Sequence, residues 1–199
     1  MKPIPVLLVA SFLLANLVGA QGTENEPQLA YPANQPKARP TGNIALLHAS
    51  LEERLKLGYG VDGWGPRGSP ELCNKTENEL RAMADAGDAS AAHFLWTYYQ
   101  GEGETSDLST VRIAEMEELA LDQFRRTGQT FLIYLVALRY QDVPGYQTAT
   151  AAWYSLGAEL GDPVCVHKAK RIQSEYEVDR SLVDSQVEEL LGRIRQPKG

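Results

Sequence analysis

Three histidines, two cysteines and several paired carboxylates are the side chains of this sequence that could do chemistry. His48, His93 and His167 are of the type that binds zinc. A three-histidine site needs all three nitrogens about 2.0–2.1 Å from one ion. They fall on separate helical segments. His93 and His167 hold equivalent positions two helix pairs apart, about 20 Å if each stacked helix adds 8–10 Å, so no shared metal is expected. Glu52-Glu53, Glu117-Glu118 and Glu188-Glu189 set carboxylates side by side, but adjacent helical residues diverge by about 100°. They read as solvated faces. Glu102 and Glu104 flank Gly103 and read as the charged edges of a turn. No Gly-x-Ser-x-Gly, P-loop, His-Glu-x-x-His or Cys-x-x-Cys pattern occurs, the spacings that expose a nucleophile, cradle a phosphate or hold a metal. Asn74-Lys75-Thr76 fits a glycosylation sequon and reads as a chance match within a helix. No catalytic residue, cofactor or metal is expected.

The start of the chain points to export. Lys2 precedes the apolar run Val6–Val18, and Ala20 offers a small side chain before a cut at Gln21. That is the layout of a secretory signal peptide over residues 1–20. A spanning helix needs about 20 apolar residues, and Pro3, Pro5 and Asn16 crowd this shorter run. The expected compartment is periplasmic or extracellular, with no membrane span after cleavage. Residues 21–42, with Pro27, Pro32, Pro36 and Pro40, read as a disordered linker. The formal charge is −7, and no run of Lys or Arg is longer than Arg125-Arg126. A nucleic-acid partner, which would ask for a basic patch, is not expected.

Residues 43–199 carry helical periodicity throughout. Ile44, Leu47, Leu51 and Leu55 form a 3-4-4 stripe on a helix over 43–57. A loop over Gly58–Pro70 follows, rich in glycine, with Tyr59 and Trp64 expected to pack inward. Ser69-Pro70 opens a helix running to about Ala86, and Asp88 caps another over Ala89–Gln100. Further helices are expected from Ser106 or Asp107 to Thr127, from near Thr130 to Gln141, and over Tyr146–Leu160. Asp162-Pro163 starts one reaching about Tyr176, and a last amphipathic helix covers Ser181–Arg195. No segment alternates with a period of two, so the fold class is all-α.

Aligned at Gly87, Gly128 and Gly161, the following helices match. Four steps on stand Ala91, Leu132 and Cys165; five steps on, Ala92, Ile133 and Val166; eight steps on, Leu95, Val136 and Ala169. Tyr99 and Tyr140 share step twelve, where the third register has Gln173. These steps lie on one side of a helix, so three helices share a buried face at a period near forty. Such a period marks helix pairs that bury their cores by stacking. Trp96 and Trp153 lie on these helices and read as core.

The same residues resemble the SEL-one-like repeat, a relative of the tetratricopeptide repeat. Ala84-Asp85-Ala86-Gly87-Asp88-Ala89 with Ala91, Leu95, Tyr99, Gly101 and Gly103 is similar to the first half of its pattern. Ala149, Ala152-Trp153-Tyr154, Gly157-Ala158-Glu159 and Leu160-Gly161-Asp162 are similar to the second. The helix over 107–127 lacks the Trp-Tyr pair and reads as about eight residues too long. The likeness covers 80–176, with 43–86 as a degenerate first pair and 181–195 as a capping helix. It implies a short α/α solenoid of about three to four helix pairs that binds another protein and has no catalysis of its own. Two alternatives stay open: a small envelope hydrolase with an unrecognised site, and an inhibitor or immunity-type partner of a secreted enzyme.

Opposite the shared buried stripe, steps 3, 6 and 10 hold Ser90, Phe131 and Val164; His93, Tyr134 and His167; and Thr97, Leu138 and Arg171. One charged residue in nine is few for a solvated face. Either His93, Thr97, Phe131, Tyr134, Leu138, His167 and Arg171 line a partner-binding groove, or the capping helix or residues 43–57 cover this face. Cys73 precedes the first good repeat and Cys165 lies in the third. A disulfide needs Cα atoms about 4.4–6.8 Å apart, so both cysteines are expected unpaired.

Overall fold

The computed structural model describes residues 50–60, 65–66, 70–100, 111–141 and 143–196. The expected signal peptide, linker and Trp64 lie outside them, as does His48. Among the described residues every regular element is helical. The α-helices are α1 (Leu51–Lys56), α2 (Glu77–Asp85), α3 (Ala89–Gln100), α4 (Ile113–Thr127), α5 (Phe131–Gln141), α6 (Gln147–Glu159), α7 (Pro163–Glu175) and α8 (Arg180–Arg195). A 3-10 turn over Pro70–Asn74 precedes α2. No helix among the described residues is long and apolar enough to cross a membrane.

Local chemistry explains where these helices begin and end. Asp88 caps α3 by accepting from the Ser90 and Ala91 amides at 2.8 and 3.0 Å. Asp162 caps α7 in the same way, with Pro163 at the first helical position. The aligning glycines all take positive φ, +96° at Gly87, +73° at Gly128 and +89° at Gly161. This is the backbone geometry that ends a helix and costs a side chain most.

Two boundaries differ from expectation. The helix expected to open at Ser69-Pro70 is, over the described residues, a 3-10 turn over Pro70–Asn74 followed by α2, because Thr76 and Glu79 form a capping box that starts an α-helix at Glu77. Asn74 therefore ends a 3-10 turn and is not inside an α-helix. The helix expected from residue 106 or 107 begins at Ile113, leaving α4 with 15 residues against 13 for α6. The supposed excess length is thus small.

From α2 to α7 each helix packs on the next, and α2 also reaches α4 while α3 reaches α5. One layer holds α3, α5 and α7, the other α2, α4, α6 and α8. Nine of the eleven residues of α5 are buried, which makes it the central helix. The last helix, α8, lies on α6 and also reaches α4. It folds back over its own layer, burying Val183, Val187, Leu190 and Leu191.

Of the nine aligned apolar positions, eight are buried. Val166 is the exception at 38 % exposure. Among the described residues no helix covers that side of α7. Tyr99, Tyr140, Trp96 and Trp153 are all in the core. Gly157 of α6 lets α7 approach closely, since a Cβ there would stand 2.4 Å from the Cys165 sulfur. Leu51 and Leu55 are 45 % and 46 % exposed, so the described part of the first stripe does not face the core. Cys73 and Cys165 are both free thiols.

Candidate interaction surface

The face of α3, α5 and α7 opposite the shared stripe is not one open ladder. Phe131 and Tyr134 are 3 % and 4 % exposed, covered by the turn that follows α1. The Leu57 carbonyl accepts from the Thr130 and Phe131 amides at 3.1 and 2.9 Å. Tyr59 meets Phe131 edge-on with ring centroids 4.9 Å apart and lies 5.9 Å from Tyr134. This corrects the open-groove reading at those two residues. The cover comes from Leu57 and Tyr59 and not from the capping helix. The inward packing expected of Tyr59 is what brings it there.

The remaining residues of that face divide in two. His93 is half-buried, with Nδ1 3.1 Å from the Pro66 carbonyl and its ring 5.5 Å from Phe131. Burial lowers its pKa below the ordinary histidine value, against the opposing pull of that carbonyl. Thr97 is half-buried and its hydroxyl donates to the His93 carbonyl at 3.0 Å. Leu138 is half-buried, whereas His167 and Arg171 are exposed. Arg171 pairs along its own helix with Glu175 at 3.3 Å. The accessible part of the expected ladder is therefore its α7 side. Val164 joins the core.

Beneath Tyr59 lies Asp162, fully buried. Its Oδ1 accepts the Val164 and Cys165 amides at 2.8 and 3.0 Å. Its Oδ2 accepts the Tyr59 hydroxyl at 2.9 Å and the Thr130 hydroxyl at 2.6 Å. Four donors satisfy one carboxylate, as a buried charge requires. Burial, then the adjacent Asp162, pushes the Tyr59 phenol and the Cys165 thiol well above their ordinary values. Tyr134 is pushed up to about 12, chiefly by burial. These groups stay protonated at neutral pH, and Asp162 works as a junction between α1, α5 and α7. The sequence marked Asp162 only as a helix cap, because its other two donors come from far along the chain.

The second layer carries a charged groove of about 390 Å³ between α2, α4 and α8, lined by Arg81, Asp85, Glu115, Glu118, Asp122 and Arg193. Its charges are matched one against another. Glu77 takes the Tyr99 hydroxyl at 2.8 Å and the Arg112 guanidinium at 2.9 Å. Arg112 also stacks 4.6 Å over the Tyr99 ring. Glu117 takes the Tyr140 hydroxyl at 2.8 Å and Arg193 at 3.3 Å. Arg193 reaches Glu118 as well, at 3.1 Å, and Arg125 bridges Glu118 and Asp122. Burial alone would raise the Glu77 pKa, but the hydrogen bonds from Arg112 and Tyr99 outweigh it and hold the carboxyl below its ordinary value. Glu117 and Glu118 are therefore interhelical partners and not merely a solvated face. The signal that could have found them is a glutamate 22 or 23 residues before each step-twelve tyrosine.

Comparison of the chain with protein-family models, with curated proteins and with solved structures found no match.

Proposed function

We propose that this chain is a secreted or periplasmic protein-binding scaffold, a short solenoid of three to four SEL-one-like helix pairs without catalysis of its own. The observation that carries the reading is a clasp that recurs at the repeat interval. Tyr99 donates to Glu77 and Tyr140 donates to Glu117, across 22 and 23 residues, whereas the arginines that pair with those glutamates, Arg112 and Arg193, do not recur at the repeat interval. Stacked units of common design return the same contact at the same step, whereas unrelated amphipathic helices have no reason to. Such arrays work by presenting side chains of successive helices along one face. Here the exposed residues of that face are His167 and Arg171, with His93, Thr97 and Leu138 half-buried, and its partner is another protein. Export is supported by the charged, apolar and small-residue order of residues 2–20.

The test is site-specific photo-crosslinking in the exported protein. A probe at Leu138 or His167 should yield one protein adduct of reproducible mass, and Arg171→Glu should reduce it. The same probe at Arg126, in the opposite layer, should yield none. Equal adducts from both layers, or none from either, would overturn the reading.

A further inference from the structure

The α7 helix carries the densest group of basic side chains among the described residues, His167, Lys168, Lys170 and Arg171. At about 100° per residue, Val166, His167, Lys170, Arg171, Ser174 and Glu175 fall on one half of the helix, and all six are exposed. The arginines of the other layer are matched by carboxylates: Arg81 and Arg112 by Glu77, Arg125 and Arg193 by Glu118, Arg126 by Asp85. On the α7 arc the one carboxylate is Glu175, which holds Arg171. Lys170 makes no ion pair with a described residue. Val166 stands beside these cations at a step that is covered in the two preceding registers. Ala92 lines a small space with Phe131 and Leu132 of α5. Ile133 is fully buried and comes up to Gly157 of α6. Val166 has no such cover.

We propose that this arc of α7 docks an acidic amphipathic helix of the partner protein, which lays an apolar side chain on Val166 and carboxylates on Lys170 and Arg171. The inference rests on the scaffold reading and names the chemistry of its partner. A helix is the element that covers this step in α3, and rows of side chains three and four apart seat a second helix in their grooves. An apolar contact rimmed by charge is the usual anatomy of such an interface. The charges set partner choice and encounter rate more than affinity. Glu175 is no obstacle, because an exposed pair along one helix is weak and exchanges with little loss. The chain as a whole carries −7. A long polyanion such as nucleic acid, or an anionic membrane, would lie against that acidic remainder and be repelled. A single helix with a few carboxylates meets only the basic arc.

Selection from a library of helix-forming peptides of about 15 residues, run against the full chain, reads this chemistry. The enriched peptides should be acidic, with carboxylates three or four positions from an apolar residue. Lys170→Glu combined with Arg171→Glu should weaken their binding at least about ten-fold, as should Val166→Asp alone. All three sites are exposed, so circular dichroism should show both variants folded. Selection against the double variant should lose the acidic preference. Should the variants fail to fold, ionic strength decides: raising salt from about 0.05 to 0.5 M should weaken the acidic peptides several-fold. Enrichment of neutral or basic peptides, no enrichment, or equal binding to the folded variants overturns the proposal. So does tighter binding of a single-stranded oligonucleotide or of phosphatidylglycerol vesicles. Self-association abolished by the double variant would make a second copy the occupant and overturn it too. Crosslinks from Leu138 that survive the double substitution keep the scaffold reading and refute this one.

Discussion

The Tyr59–Asp162 contact in one layer and the Tyr99–Glu77 and Tyr140–Glu117 contacts in the other join the same two groups under opposite conditions. Asp162 is fully buried and surrounded by uncharged donors. The Glu77 and Glu117 side chains are each 21 % exposed and meet arginines that are 38 % and 32 % exposed. In the first setting a lost partner leaves buried groups without hydrogen bonds, which costs about 1–3 kcal/mol per group. In the second, water and salt replace much of what is lost, and exposed ion pairs are worth about 0–1 kcal/mol. One pairing therefore joins distant elements of the fold, while its counterpart sets the register between neighbouring helices at little net gain.

The largest expected effect tests whether the aromatic face belongs to the core at all. Tyr134→Ala should cost about 3–5 kcal/mol in urea denaturation, as truncated buried aromatics do. A loss under about 1 kcal/mol would mean that this face is open in solution, and the contrast between layers would fail. Next, Asp162→Ala removes a helix cap and the acceptor of two buried hydroxyls. It should cost about 3 kcal/mol, measured in the same way.

Alkaline titration sharpens the comparison without mutation. Tyr59, Tyr99, Tyr134 and Tyr140 all have raised pKa values, from burial first. Nearby carboxylates add to the rise, Asp162 beside Tyr59 and Tyr134, Glu77 beside Tyr99 and Glu117 beside Tyr140. A phenol is ordinarily half-ionised near pH 10. The stability these tyrosines contribute is complete below about pH 10 and is lost as pH rises through their higher folded values. Phenolate absorbance should thus show some of the nine tyrosines ionising only as the protein unfolds. Ordinary titration of all nine in the folded state would contradict the buried contacts.

The smallest effect lies in the charged layer. Arg193→Ala breaks the contacts of α8 with Glu117 and Glu118 and should cost about 0.2–1 kcal/mol. The loss should shrink further in high salt. A cost comparable to that of Asp162→Ala would erase the distinction between the layers.

What was legible in the sequence was whatever depends on near neighbours. The cap residues Asp88 and Asp162, the three positive-φ glycines and the step 4, 5 and 8 positions all act within one or two turns of helix. They sufficed for an all-helical chain with an eight-of-nine correct buried stripe. Val166 is the exception because burial of a helix face depends on whether another helix packs on it, which the period within one helix does not encode. The Thr76–Glu79 capping box is equally local, and Ser69-Pro70 just before it is a competing start signal of the same strength.

The candidate surface was half legible. The sequence by itself determined which residues share the second face, since helical period places Phe131, Tyr134, Leu138, His167 and Arg171 without reference to anything else. Only the tertiary structure decided which of them meet solvent. Tyr59 reaches Asp162 across 103 residues, and Arg193 reaches Glu117 across 76. Contacts at such separations leave no periodic trace, because they depend on how turns direct one helix over another. Periodicity assigns a residue to a face, and the return of a distant segment determines whether that face is surface or core.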